Sequence, residues 1–502
     1  MDKIAVIELD TSSVNLYLGR YNEANLYIID EKISEKIRLD TENIQGFSYK
    51  PYRFEELVKI LHFYKRRIAE NNINTVLCFC SQRFETLRSS DVLLEEIFNS
   101  TGYQFINYGD EYTNLLHICA THSVDSNKGF LINIEPSHIN FIRFNRKSML
   151  ENYRFDFGTE TLAKMFEDED CTPRDKMQKM VDYCKKQFSE IDIEMTSEED
   201  VFRPIGMGTT FSNIAKICRL GTKYAYNRDY NYQLTQTNFN NVVRIIQDLE
   251  ADKTKKIKGI SQDRADMVAS GTAIVKALFD TYCLSDIWVN DIEVCEGVII
   301  DHLSKTNTET ANIDVLTASL NTCGYFYHQD VEKCKRIYSL ANDLFDELRA
   351  LHRFTKHHNK ILKIACYFAE SGKRVSQKNF EKKSLYMVHN ADIRGASQLE
   401  ILVAGFVAGS QNLEEFDTNQ WLLYRNIIDE SYLDVVKKLA IMVKIGRLVA
   451  GVSKLDHLVC DVLGDNCILS VPDIDGDGYK TSDIRNIIPD FKKAFNKLLQ
   501  VL

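Results

Sequence analysis

The chain opens on an unbroken apolar run, Ile4-Ala5-Val6-Ile7, then a polar turn, Asp10-Thr11-Ser12-Ser13, then Val14, Leu16 and Leu18 alternating with Asn15 and Tyr17. The run predicts a buried strand, and the alternation predicts a second strand returning beside it. Residues 129–144 repeat the plan: Phe130–Ile134, the turn Glu135-Pro136-Ser137-His138, then Ile139, Phe141 and Phe144. Two such hairpins, more than a hundred residues apart, predict two similar α/β lobes facing each other across a cleft. A third element, Gly206-Met207-Gly208-Thr209-Thr210, opens a helical run, FSNIAKICRL.

Between these landmarks the period changes as α/β lobes require. Phe54–Ala69 carries Leu57, Ile60, Leu61 and Tyr64 on one helical face. Thr75–Cys80 reads as a strand, Val92–Asn99 as a helix capped from Ser89, Ser90 or Asp91, Phe105–Tyr108 as a short strand and Asp110–Thr121 as a helix. Asp125-Ser126-Asn127-Lys128 is the expected crossover between lobes. Residues 166–200 are charged and read as a solvated helical excursion, Ile287–Val289 as a strand and Glu296–Leu303 as a closing helix. From about residue 305 the spacing is helical, with Val331–Leu351, Lys360–Glu370, Leu399–Ala408 and Tyr432–Val449. Leu458–Val471 alternates as paired strands around Gly464-Asp465-Asn466, and Pro489–Leu502 reads as a final helix. The expected domains are therefore 1–124, 125–304, 305–450 and 451–502.

Composition narrows the function classes. The 502 residues exceed what one core usually serves. A net charge of −10 argues against a nucleic-acid partner, which wants a basic face. The 13 cysteines are odd in number and have no C-x-x-C spacing, as expected for reduced, buried thiols in a cytoplasmic protein. No secretory pattern precedes the first strand, and no apolar run is long enough to span a bilayer, so no membrane partner is expected. The four lysines of Lys253–Lys258 read as a solvated face. Asp473-Ile474-Asp475-Gly476-Asp477-Gly478 imitates half of a calcium loop, but its twelfth position is Ile484, so a polar turn is expected.

The candidate chemistry lies at the hairpin tips. Hydroxyls and free N–H groups at such a tip can hold phosphate oxygens, and a helix N-terminus after glycines favours an anion. One hydroxyl-rich turn is ordinary; three such elements in this order point to phosphate. At these residues the chain resembles the exopolyphosphatase and guanosine pentaphosphate phosphohydrolase (Ppx/GppA) family, on the actin-like ATPase fold. Glu8–Leu16 is similar to the first phosphate loop, Gly109-Asp110-Glu111-Tyr112 to the catalytic glutamate segment, Asn133–Asn140 to the second loop and Gly206–Thr210 to the third glycine segment. Arg264-Ala265-Asp266 with Gly271, Glu296-Gly297, and Asn390-Ala391-Asp392 with Gly395 are similar to further family patterns. The implied fold class is α/β: two actin-like ATPase (RNase H-like) lobes, then an all-α HD-like domain and a small α+β C-terminal domain. The resemblance also implies a homodimer, Mg²⁺ as cofactor of any active form, and polyphosphate or a guanosine nucleotide as the phosphate-rich ligand.

The chain departs from the family where chemistry is done. The family's water-activating Glu falls at Tyr112, and a tyrosine phenol, which titrates near ~10, is a poor base at neutral pH. Glu111, one position earlier, is turned by about 100° on a helix and substitutes only if the helix start shifts. Asn133 and Asn140 stand where the family has carboxylates, and Glu135, Pro136 and Ser137 replace its glycines. His138 is expected as a surface turn residue. Glu8 replaces an Asp and could still reach a metal, whereas Asp10 replaces a Gly and adds negative charge. Arg83 lies next to the family's basic position, Phe84. The helical domain's His-Asp pair falls at Ala369-Glu370, and His352, His357, His358 and His389 do not restore ligand spacing. Thr11, Ser12, Ser13, Gly208, Thr209 and Thr210 are the candidate phosphate contacts, and Glu111 and Glu8 the candidate catalytic residues. The reading is a phosphate-binding relative with weakened or lost catalysis, the alternative an active Mg²⁺-dependent hydrolase releasing terminal phosphate.

Overall fold

A computed structural model describes residues 2–39, 51–87, 90–168, 170–191, 202–249, 267–306, 314–452, 455, 457–471 and 484–502. The lysines of 253–258, residues 264–266, the calcium-like stretch 473–478 and Ser89 lie outside them. The chain divides into two compact units, Met1–Lys223 with Arg228–Ile313, and Tyr224–Asn227 with Asp314–Leu502.

The first unit holds two sheets. Strands β1 (Asp2–Leu9), β2 (Ser13–Tyr21), β3 (Tyr27–Lys36) and β4 (Thr75–Cys80) form a sheet in the order β3-β2-β1-β4. β1 is the hub: it pairs antiparallel with β2 and parallel with β4, and Ile4 to Ile7 are all buried. Strands β5 (Lys128–Ile134), β6 (Ile139–Asn145), β7 (Met149–Phe155), β8 (Arg203–Met207), β9 (Tyr232–Thr235) and β10 (Asp286–Asn290) form a second sheet, β7-β6-β5-β8-β10-β9. β5, β8 and β10 run parallel at its centre. β5 is buried on both faces after its first residue, which is why its sequence is a continuous apolar run rather than an alternation.

Helices cover these sheets where the 3.6 period placed them. Pro51–Glu70 packs Leu57, Leu61 and Tyr64 against one side of the first sheet, in a core shared with Leu93 and Ile97 of Ser90–Thr101. A second core joins the two sheets. Val6, Tyr17 and Phe79 meet Leu131, Ile142 and Met207 there, with Tyr112, Leu115 and Leu116 of the helix Tyr112–Ser123 and Val298 of Val294–Thr306 between them. The strand expected at Phe105–Tyr108 is reduced to a single bridge, Phe79↔Ile106, because Ile106 alone finds ladder bonds, with Cys78 and Cys80. The charged excursion contains a helix, Pro173–Ser189, that is not simply solvated: Met177, Met180, Val181, Cys184 and Phe188 make a buried stripe. Charge on its outer face hid that stripe.

The second unit is helical. Val331–Glu347, Lys356–Phe368, Gln398–Gly409 and Tyr432–Val452 pack around one core, with Gln398–Gly409 buried on nearly every side. β11 (Val459–Leu463) and β12 (Asn466–Ser470) form the expected hairpin. The final helix is shorter than its sequence suggests. It spans Ile488–Phe495, ends at Asn496 in the left-handed region, and gives way to β13 (Leu498–Val501) beside β12. Leu499 points inward there, and the open edge of β12 supplies the backbone partners that a helix would have found within itself.

Candidate functional site

The site is built at the strand ends that converge on the second core. In the first turn, Asp10 N–H donates to Ser13 O at 2.9 Å, closing the hairpin. Both Asp10 carboxylate oxygens are engaged: Ser12 Oγ donates to Oδ2 at 2.7 Å and Ser81 Oγ to Oδ1 at 2.6 Å. Thr11 is fully buried and its hydroxyl has no hydrogen-bond partner among the described residues, whereas Ser12 is exposed and Ser13 half-buried. Glu8 lies part-buried at the end of β1, where its Oε2 accepts from Asn15 Nδ2 and from the Tyr17 hydroxyl, each at 3.0 Å. Burial raises the Glu8 carboxyl above its usual range and the Asp10 charge adds to this, against the two hydrogen bonds.

The second turn is an acceptor rather than an anion nest. The carbonyls of Glu135 and Pro136 accept the N–H groups of Thr159, Glu160 and Thr161 at 3.1, 2.9 and 3.2 Å, so the first turn of the helix Thr159–Met165 is spent on them. Gly158 permits this approach; a Cβ there would sit 2.0 Å from Glu135 O. Asn133 and Asn140 face each other across β5 and β6. Asn133 Nδ2 donates to Glu135 Oε1 at 3.0 Å, and Asn140 Nδ2 donates to Gln82 Oε1 at 2.9 Å.

His138 is not on the surface. It is 1% exposed, and its Nε2 lies 2.7 Å from the same Gln82 oxygen. That oxygen can only accept, so Nε2 carries the proton and Nδ1 accepts from Ser137 Oγ at 3.0 Å. Burial, helped by the Arg154 charge, lowers the imidazole pKa to about 3, so His138 is neutral and supplies no cation. Gln82 thus ties the first sheet to the second turn, and beside it Arg83 pairs with Glu160 at 2.7 Å.

The third segment keeps its donors. Gly208 has φ +94° and starts the helix Thr209–Thr222 with no side-chain cap. A Cβ on Gly208 would lie 3.1 Å from Asn133 Oδ1, so the helix N-terminus sits next to the second turn. Thr209 is exposed and Thr210 half-buried.

In the segment Gly109–Tyr112, a 3-10 turn, Gly109–Glu111, precedes the helix that begins at Tyr112. Tyr112 is 3% exposed. Burial pushes its phenol well above the usual range, and the charges of Glu135, Glu8 and Asp10 push it further. Glu111 is exposed, and its charge acts with that of Asp301 on Tyr108 instead. The structure therefore brings Glu8, Asp10, Tyr112 and Glu135 into one electrostatic neighbourhood, with Asn133 and Gly208 beside Glu135, while Glu111 is exposed. Sequence reasoning missed Gln82 and Glu160. Gln82 adjoins Arg83, but no local pattern marks an amide that accepts from residues so far along the chain.

The donor set does not suit Mg²⁺, which wants near-octahedral oxygens with carboxylates free to ligate. Asp10 and the Glu8 oxygen facing Asn15 are bound to neutral donors, and residues 133 and 140 are amides. Among the described residues no group of three or more His, Cys, Asp or Glu is placed to hold a metal ion. In the helical unit, Glu370 accepts from Lys333 at 2.5 Å and from Lys373. His357 bonds Glu400 at 2.8 Å and the Tyr432 hydroxyl at 3.1 Å. His352 and His389 bond the carbonyls of Phe345 and Leu402.

The Ppx/GppA phosphatase family model matches residues 22–306, and that of Ppx/GppA phosphatase, domain III, matches residues 315–450. The chain belongs to the Ppx/GppA phosphatase family. Among curated Ppx/GppA relatives, the guanosine-5'-triphosphate,3'-diphosphate pyrophosphatase of Aeromonas salmonicida is 26% identical over 141 residues, 28% of each chain. The protein of that name from Pseudoalteromonas translucida is 27% identical over 158 residues, 30% of each chain. The match thus spans less than a third of these relatives' length. Solved Ppx/GppA structures share the fold. The Aquifex aeolicus family member has a TM-score of 0.54 at 16% identity, covering 61% of this chain and 99% of its own. An exopolyphosphatase from Cytophaga hutchinsonii has a TM-score of 0.51 at 17% identity, covering 61% and 98%. These Ppx/GppA likenesses bear out the α/β, actin-like ATPase fold, and no helix among the described residues is long and apolar enough to cross a membrane.

Proposed function

We propose that this Ppx/GppA protein binds a phosphate-rich ligand, polyphosphate or a guanosine nucleotide, in the cleft between its lobes and hydrolyses it weakly or not at all. The observation that carries this reading is Tyr112: a buried, un-ionised phenol stands where the family resemblance puts the glutamate that activates water. Hydrolysis of a terminal phosphoanhydride needs a base for the attacking water, and loss of a general base costs about 10²–10⁴-fold in rate. Binding needs only donors. The uncapped helix N-terminus at Gly208–Thr210, with the exposed Thr209, is the group we assign to the ligand, whereas Ser12 gives its hydroxyl proton to Asp10 and, with Ser13 and Thr11, shapes the turn beside it. Tyr112, Asn133 and Asn140 are the degenerate positions. A homodimer in the cytoplasm completes the proposal; a monomer by light scattering would remove the dimer.

A second reading, an active hydrolase releasing terminal phosphate, is favoured by the solvent exposure of Glu111, one residue before Tyr112. In it Glu111 is the base and Glu8 the acidic partner. One paired assay separates the two. Purified full-length protein is incubated with polyphosphate and with guanosine pentaphosphate while phosphate release and binding are both recorded. Binding without release supports the first reading. Release that is lost in Glu111→Gln replaces it with the second, and absence of binding to both ligands rejects both.

A further inference from the structure

The carboxylates of the first turn, Glu8 and Asp10, accept from neutral donors. Glu8 Oε2 accepts from an amide and a phenol, Asn15 Nδ2 and Tyr17 Oη, each at 3.0 Å. The two oxygens of Asp10 each accept a serine hydroxyl, at 2.7 and 2.6 Å, one from its own turn and one from Ser81 after β4. Glu135 accepts from Asn133 Nδ2 at 3.0 Å, and Asn140 gives its amide to Gln82 at 2.9 Å. A small divalent cation strips such partners only where several carboxylates converge with free lone pairs and room for its waters. Here residues 133 and 140 offer only neutral amide oxygens, and Asn140 Oδ1 is buried without a partner among the described residues. The charges of Glu135, Glu8 and Asp10 all act on the buried phenol of Tyr112, and Asp10 and Glu135 are themselves only half-buried.

We infer that the cleft holds its anion without a divalent metal, through the helix N-terminus at Gly208–Thr210 and the hydroxyls of Thr209 and Thr210. For the identity of the anion this rests on the binding role proposed above; the statement about metal stands on the donor geometry by itself. A metal-free cleft of this kind binds an anion through N–H and O–H donors whose geometry the fold has already fixed. Chelation then leaves affinity unchanged, and Mg²⁺ competes only by complexing the ligand in solution.

Two measurements on the full-length chain test it. The first is a titration of Mn²⁺ followed by electron paramagnetic resonance, where the free-ion signal reports unbound metal. The expected result is no saturable binding, or saturable binding that Glu8→Gln and Asp10→Asn both leave unchanged. Saturable binding that either substitution removes would overturn the inference. The second is calorimetric binding of inorganic tripolyphosphate with EDTA present and with Mg²⁺ present. Affinity in EDTA equal to or within about threefold of the best value supports a metal-free site, and binding seen only with Mg²⁺ overturns it. If tripolyphosphate binds in neither condition, the anion-binding role falls, and the Mn²⁺ titration still decides the question of metal.

Discussion

Gln82 Oε1 accepts from both His138 Nε2 and Asn140 Nδ2, and all three side chains are at most 2% exposed. Truncation of a shared acceptor leaves two buried donors without partners, and each unsatisfied group costs about 1–3 kcal/mol. Gln82→Ala is therefore expected to destabilise the first unit by about 2–6 kcal/mol, read as a lower urea midpoint with an unchanged slope. Histidine protonation gives a second handle. Burial lowers His138 to about 3 and His389 to about 4, whereas an unfolded histidine titrates near ~6.5. The unfolded chain then binds more protons between those values, so stability is full above about pH 6.5 and falls as pH drops towards the folded values. Each group contributes about 1.4 kcal/mol of loss at pH 5.5. Urea melts at pH 7.5 and 5.5 check the sign; a midpoint that rises on acidification would contradict it.

At the scale of elements, two helix N-termini adjoin the second turn and do opposite things. That of Thr159–Met165 donates to the carbonyls of Glu135 and Pro136, so its positive end is spent within the fold. That of Thr209–Thr222 has no side-chain cap and follows a glycine whose φ of +94° no L side chain adopts easily. Gly208→Ala puts strain of about 1–3 kcal/mol at the start of that helix and pushes on Asn133 Oδ1. We expect it to abolish tripolyphosphate binding, while Ser137→Ala, on the acceptor turn, leaves affinity unchanged. The reverse order of effects in calorimetry would move the anion to residues 135–138. The negative charges also sort by element: Asp10 belongs to the first turn and holds Ser12 and Ser81, so removing it loosens that turn as well as lowering repulsion.

At the scale of the whole molecule, the two units own separate cores. Leu340, Leu362, Phe406 and Leu439 belong to one, and Val6, Leu116, Leu131 and Met207 to another. Units with independent cores need not unfold together. Calorimetry is expected to resolve two transitions, of which Gln82→Ala lowers only that of the first unit. A single transition that shifts as a whole would show the units to be one cooperative body.

Much of this was legible in the chain. The run Ile4–Ile7, the face of Leu57, Leu61 and Tyr64, and the long helical spacings after residue 305 mark their elements, because each records burial on one strand or helix face at a local period. That Tyr112, Asn133 and Asn140 are a phenol and two amides, where the family resemblance implies carboxylates, was likewise visible, since residue type alone carries charge. Other features belong to the tertiary structure. The last residues become a strand because β12 offers an open edge, and His138 is neutral because the fold buries it, where Gln82, just after β4, accepts from its Nε2. Asp10 is held by Ser81 as well as by its own turn. Local periodicity reports which face of an element leaves water, whereas the partner of a polar group is fixed only when distant strands close, and that pairing leaves no period in the chain.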